Sequence, residues 1–134
     1  MNNPIDEFGK NAGKIWETLN NNAIALSQTK LQKTTNLSDE AFYCAVGWLA
    51  RENKIKKTGI TYLLGDTNLT PKIGKNAGKI WKLLASENEA NITKIVRRTR
   101  ITEMDVHSAI GWLARENKIE TLKGKNNQLI FRLR

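Results

Sequence analysis

The run Gly47-Trp48-Leu49-Ala50-Arg51-Glu52-Asn53-Lys54-Ile55 occurs a second time, without a change, at Gly111 to Ile119. A second pair of identical runs lies upstream of it, since Gly9 to Trp16 (GKNAGKIW) returns at Gly74 to Trp81. The two offsets are 65 and 64 residues. An internal repeat of this kind predicts two tandem copies of one small domain.

The repeat sets the expected domain boundaries. We expect copy one to span residues 1–65 and copy two residues 72–134, with residues 66–71 as a short linker. Domains of this size bury only about 60% of their unfolded surface and are marginal alone. The two copies are therefore expected to pack on each other in a fixed arrangement.

The spacing of apolar residues in copy one predicts three helices. The first begins at the Asn3-Pro4 cap, and Ser27 and Ser38 each cap a further helix. A short extended piece precedes the second helix. After the third helix, two short strands flank Thr58-Gly59, which predicts a hairpin.

Copy two repeats this order. We expect a helix from about Pro71 to Glu87, two helices capped by Asn91 and Thr102, and a hairpin around residues 123–127. The order helix, strand, helix, turn, helix, hairpin is that of a winged helix-turn-helix domain. The predicted fold class is mainly α with small β-hairpins (α+β), built as two tandem winged helix-turn-helix domains.

The repeated runs also resemble a known family. Asn-Ala-Gly-Lys-Ile-Trp and Gly-Trp-Leu-Ala-Arg-Glu-Asn-Lys-Ile are similar to the signature of small prokaryotic winged helix-turn-helix proteins grouped as a domain of unknown function. The resemblance covers nearly the whole chain, twice. It implies the fold, and it differs from the family's usual single domain.

Charge is unevenly distributed between the copies. The chain carries a formal net charge of +9. Residues 1–66 hold 8 Lys and Arg against 7 Asp and Glu, whereas residues 67–134 hold 14 against 6. A positive field of this kind favours phosphate-rich or acidic partners, so copy two is the candidate binding half.

Other features indicate the cellular setting. The single cysteine, Cys44, cannot form an internal disulfide, and we find neither a signal peptide nor an apolar run long enough for a membrane span. We expect a cytoplasmic protein that has no membrane partner.

Glycines in the identical runs suggest close helix packing. Gly13 and Gly47, like Gly78 and Gly111, fall in helix interiors, where glycine costs about 1 kcal/mol relative to alanine. We expect the first and third helices of each copy to cross there. The alternative is that the glycine face admits a partner helix or a DNA backbone.

The sequence shows no recognisable set of catalytic residues. Gly9 to Lys14 fails as a phosphate-binding loop because its glycine spacing is one residue short and Ile15 replaces the Ser or Thr. One histidine and one cysteine do not predict a zinc site. We expect no enzyme activity, no cofactor, no metal and no small-molecule substrate.

Double-stranded DNA is the expected partner, bound mainly through its backbone as by a transcriptional regulator or a nucleoid-associated protein. The third helix of copy one begins with Asp39 and Glu40 and offers no base-reading Arg, Lys or Asn on its exposed face. Copy two is richer in basic residues at the places where a winged domain touches phosphates. The expected nucleic-acid-binding residues are Lys75, Lys79, Lys82, Lys94, Arg97, Arg98, Arg100, His107, Ser108, Lys123, Lys125 and Asn126.

The alternative hypothesis is a protein-interaction module. It would use the third helix or the wing of copy one, with Glu40, Tyr43 and Gly47 as contact residues. Self-association is also left open as a mode of partner binding.

Overall fold

Side-chain caps fix where the helices of copy one begin. In the computed structural model, which describes residues 3–134, Asn3 Oδ1 accepts a hydrogen bond from the backbone N–H of Ile5 (3.0 Å). Ser27 and Ser38 cap the next two helices in the same way. Residues 1 and 2 of the predicted first domain lie outside the described residues. The elements of copy one are α1 (Pro4–Asn22), β1 (Leu26–Ser27), α2 (Gln28–Thr35), α3 (Asp39–Arg51), β2 (Ile55–Thr58) and β3 (Thr61–Leu64).

Copy two has the same order with one difference at its start. The predicted helix from Pro71 to Glu87 begins as a π-helical turn, Thr70–Gly74, before α4 takes over. This turn places Ile73 in the core of copy one. The remaining elements are α4 (Lys75–Glu87), β4 (Glu89–Asn91), α5 (Ile92–Thr99), α6 (Glu103–Arg115), β5 (Ile119–Lys123), a 3-10 turn (Lys125–Asn127) and β6 (Leu129–Leu133).

Each hairpin gains a third strand from the segment that precedes the second helix. The sheet of copy one has the antiparallel order β1-β3-β2, and that of copy two has the order β4-β6-β5. The central strand of each sheet turns one aromatic ring toward the helices. Tyr62 pairs with Leu26, Phe131 pairs with Ala90, and both rings are buried. The winged helix-turn-helix fold expected from the sequence is confirmed in both copies.

The two cores exchange residues across the domain boundary. Leu69 of the predicted linker and Ile73, at the start of copy two, pack with the core of copy one. Ile5 and Phe8, from the start of α1, pack against the core of copy two. The first helical segment of each copy therefore reaches across to the other, which joins the domains into one packed unit.

Candidate nucleic-acid interface

The third helices, α3 and α6, pack on each other at their glycines. A Cβ atom built on Gly47 would lie 1.8 Å from the carbonyl oxygen of Ser108, and one built on Gly111 would lie 1.9 Å from that of Cys44. The two helix backbones are therefore in direct contact. We expected Gly47 to lie where α1 crosses α3 and Gly111 to lie where α4 crosses α6. This expectation is wrong, because both glycines lie where α3 crosses α6, between the copies.

The same repeated run also supplies reciprocal ion pairs. Arg51 Nε donates to Glu116 Oε2 at 3.0 Å, and Arg115 Nε donates to Glu52 Oε2 at 3.0 Å. The Arg51 guanidinium carbon lies 5.7 Å from the ring centroid of Trp112, which adds a cation–π contact. Each contact has its counterpart one repeat away, so the two domains are related as in a two-fold symmetric dimer.

Third-helix residues predicted to contact partners are buried in this interface. His107 is 9% exposed and Ser108 is 4% exposed, and Gly47 is buried as well. This contradicts the predicted surface position of all three residues. While the domains are paired, α6 cannot enter a major groove and α3 cannot present Gly47 to another protein.

The environment of His107 keeps its imidazole neutral. Burial lowers the pKa of His107, and the nearby Glu103 and Glu40 carboxylates oppose this only in part. Its Nδ1 lies 3.8 Å from Cys44 Sγ across the domain boundary. The residue therefore packs in the interface.

Glu40 and Tyr43, the other two residues of the alternative partner-binding site, are less buried than Gly47. Glu40 is exposed, and Tyr43 is half-buried and donates to Gln28 Oε1 at 3.0 Å.

One concave surface gathers several of the predicted basic residues. A groove of about 330 Å³ is lined by Lys75 and Lys79 of α4 and by Arg100 of the α5–α6 turn. Lys72, which the sequence places on the same stripe, also lines it and lies 3.4 Å from Asp105 Oδ2. Thr102, the N-cap of α6, forms the end of the groove. The groove thus combines four cations, one of them paired with the Asp105 carboxylate that also lines it, with the positive end of a helix dipole.

The other predicted basic residues lie apart from this groove. Lys94 and Arg98 pair with Glu87 of α4, which offsets part of their charge, whereas Arg97 is exposed at the end of α5. Lys82 lines a different groove, beside Trp81. Lys123, Lys125 and Asn126 are exposed at the tip of the β5–β6 hairpin.

Two further grooves, of about 300 and 360 Å³, are lined by equivalent residues of the two copies. Each contains a half-exposed tryptophan, Trp16 (36% exposed) or Trp81 (42% exposed), next to a mid-helix glycine. A Cβ at Gly13 or Gly78 would meet no described atom within 4 Å. Packing does not explain these two glycines.

The interface between α3 and α6 was not predicted from the sequence, although one feature of the repeat indicates it. A self-complementary contact requires both members of each pair in both copies, and the repeated Arg-Glu dipeptide meets that requirement. The role of Thr102 at the end of the basic groove was also missed. It depends on the placement of α6 beside α4, which the sequence does not specify locally.

Within residues 3–134, no cluster of three or more His, Cys, Asp or Glu side chains could hold a metal ion. In the same part of the chain, every helix is too short or too polar to cross a membrane.

Comparison with known proteins agrees with the fold. A family model described as "Winged helix-turn-helix domain (DUF2582)" matches residues 1–62 and again residues 68–133. The chain is also similar to "Uncharacterized protein MJ1608" of Methanocaldococcus jannaschii, with 44% identity over 61 residues. The matched part makes up 44% of this chain and 87% of that relative. No solved structure matches the chain.

Proposed function

Because the chain belongs to the DUF2582 family of winged helix-turn-helix domains in both of its halves, we propose that it binds duplex DNA through the sugar–phosphate backbone. The second domain provides the binding surface, and the first domain is its packing partner. The function is that of a transcriptional regulator or nucleoid-associated protein in the cytoplasm.

The basic groove at the start of α6 is the observation that carries this proposal. Lys75, Lys79 and Arg100 are exposed and converge on one concavity. Free N–H groups and the dipole at a helix N-terminus favour a phosphate group placed against it. A phosphate in this groove would lie near the three cations and the N-terminus of α6, where Lys72 pairs with the Asp105 carboxylate.

The buried third helices determine the kind of binding. A helix-turn-helix protein reads bases with the exposed face of its third helix, but here that helix is largely buried beyond its first turn in both domains, and the first turn exposes the carboxylates of Glu40 and Glu103. Phosphate contacts position a protein on the duplex without reading its sequence. The proposed binding is therefore weakly sequence-dependent and strongly salt-dependent.

Fluorescence anisotropy with a labelled random-sequence duplex tests the proposal. The logarithm of the binding constant should fall linearly with the logarithm of salt concentration. Removing two phosphate contacts with Lys75→Ala and Lys79→Ala should weaken binding and reduce the slope by about 2.

The repeat provides a matched control. Lys10 and Lys14 occupy the equivalent positions of the identical run in copy one, so Lys10→Ala with Lys14→Ala removes the same charge from the same local sequence. This control should bind DNA nearly as the wild type does. If both double variants lose the same amount of DNA affinity, net charge alone explains the loss, and this result would contradict a binding groove in copy two. Absence of binding at low salt would contradict the proposal as a whole.

A further inference from the structure

A cavity of about 660 Å³ lies between the two domains, away from the basic groove. Copy one contributes the start of α1 and the start of α3. Copy two contributes α5, α6 and the central strand β6. The walls are mainly apolar, with the side chains of Phe8, Ala41, Cys44, Ile92, Leu129 and Phe131.

Comparison of the two copies explains why this space is open. His107 and Ile92 line the cavity, and the equivalent positions in copy one hold Tyr43 and Gln28. Those two side chains reach each other, since the Tyr43 hydroxyl donates to Gln28 Oε1 at 3.0 Å. In copy two the shorter imidazole and an isoleucine make no such bridge. The opening is therefore a consequence of sequence divergence between the repeats.

The cavity wall contains an unpartnered polar atom. His107 Nε2 is buried and has no hydrogen-bond partner among residues 3–134. The nearest carboxylate oxygen, Glu103 Oε1, is 3.9 Å away, which is too far for a hydrogen bond. Buried polar atoms in folded proteins are nearly always paired. The imidazole therefore leaves one nitrogen without a partner next to the cavity, and that nitrogen is itself covered from solvent.

The charge around the cavity is negative although the protein is basic. Glu7 and Glu40 line it, and none of its described lining residues is Lys or Arg. Neither carboxylate forms an ion pair with a described residue, as Glu52 and Glu116 do. The Glu40 charge extends inward, because it adds to the effect of burial in raising the pKa of Cys44 and opposes in part the lowering of the His107 pKa by burial.

We propose that this interdomain cavity binds a small organic cation with an apolar, ring-bearing body. The ring lies against Phe8, Ile92 and Leu129, and the ammonium group faces Glu7 and Glu40. Because the walls come from both domains, an occupied cavity links them and stabilises the folded chain. The site does not depend on DNA binding.

Tryptamine, indole-3-propionate and tryptophol are suitable probes, because they share one ring and differ in charge. Titration of the full-length protein, followed by calorimetry and backbone amide NMR, should show saturable binding of tryptamine. Its shifts should cluster at Phe8, Ile92, His107 and Leu129. Tryptophol should bind more weakly, and indole-3-propionate should bind weakest.

Two variants and a control distinguish the effect of the carboxylate charge from the effect of the free volume in the cavity. Glu40→Gln should weaken tryptamine binding about threefold and leave tryptophol unchanged, as expected for a partly exposed ion pair. His107→Tyr introduces the residue found in copy one and should abolish binding of both probes. Glu17→Gln removes one charge from α1 away from the cavity and should change neither affinity.

Any one of the following results would overturn the proposal. They are the absence of saturable tryptamine binding at millimolar concentration, binding of indole-3-propionate at least as tight as that of tryptamine, and shifts confined to another surface. Unchanged affinity in both Glu40→Gln and His107→Tyr would do so as well. If His107→Tyr does not fold, the tryptamine affinity of Glu40→Gln decides the test by itself.

Discussion

Substituting alanine for Gly47 tests whether the α3–α6 crossing holds the two domains together. The added methyl carbon would lie 1.8 Å from the Ser108 carbonyl oxygen, and real Cβ contacts stay above 3.0 Å. The helices must therefore separate by about 1.2 Å at the crossing. No side-chain rotation relieves the clash, because both colliding groups belong to the backbone or are fixed to it.

The expected destabilisation follows from two opposing effects. Overpacking a well-packed site costs about 1–3 kcal/mol, and a backbone collision belongs at the upper end of that range. Alanine in place of glycine within a helix stabilises the helix by about 1 kcal/mol. The free energy of unfolding of Gly47→Ala should therefore fall by about 2 kcal/mol, since these effects partly cancel.

Urea unfolding followed by tryptophan fluorescence and circular dichroism measures this change. Gly13→Ala is the matched control, because a Cβ there meets no described atom within 4 Å. It should raise the free energy of unfolding by about 1 kcal/mol through helix propensity alone. Adding Gly111→Ala to Gly47→Ala should cost less than the two single changes together, since both act on one crossing. If Gly47→Ala proves as stable as Gly13→Ala, the helices do not touch as described.

Three further predictions concern the same interface. Burial lowers the pKa of His107, so as the pH falls below about 6.5 the unfolded chain takes up a proton before the folded one does. The free energy of unfolding should therefore decrease from neutral pH toward about pH 5, and His107→Phe should remove that part of the decrease; equal pH profiles for the two proteins would contradict it. Burial also raises the pKa of Cys44, so its thiol should react with a thiol reagent much more slowly than a free cysteine does, and labelling at the rate of a free thiol would contradict its buried position. A fragment of residues 68–134 contains both members of each reciprocal contact and should sediment as a dimer that Gly111→Ala weakens; a monomer at all concentrations would show that the contacts do not suffice.

Local sequence signals predicted the elements well because each depends on neighbouring residues. Ser27, Ser38, Asn91 and Thr102 cap helices as expected, since a capping side chain needs only the N–H groups two or three residues ahead. The π-helical turn at Thr70–Gly74 was not predicted. It directs Ile73 into the other domain, so its cause lies in contacts between the copies rather than in its own residues.

The pairing of the domains was predictable only in part. From Ala41 to Ala50 the sequence is almost free of polar side chains, and a helix that is apolar on all sides is buried on all sides. That signal contradicts an exposed recognition helix, and it could have corrected the placement of Gly47. The equivalent stretch of α6 carries His107 and Ser108, which suggested exposure because polar residues are usually outside.

The basic groove shows a different limit of sequence reasoning. Lys75 and Lys79 were predicted as one stripe because they share a helix face. Their convergence with Arg100 depends on how α4 packs beside the α5–α6 turn, and no local pattern encodes that packing. The half-exposed Trp16 and Trp81 also repeat, and nothing in the structure explains why they and their neighbouring glycines are identical.

A two-fold interface explains why some residues of a tandem repeat stay identical while others diverge. In such an interface each residue of one copy meets a different residue of the other, and the same pair recurs in reverse. A change in Arg51 breaks its contact with Glu116, and the other copy cannot compensate because Arg115 already pairs with Glu52. Both members must therefore be kept in both copies. Positions outside these reciprocal pairs carry no such requirement, so copy two could gain its positive charge and open the His107 cavity while the pairing of the domains was preserved.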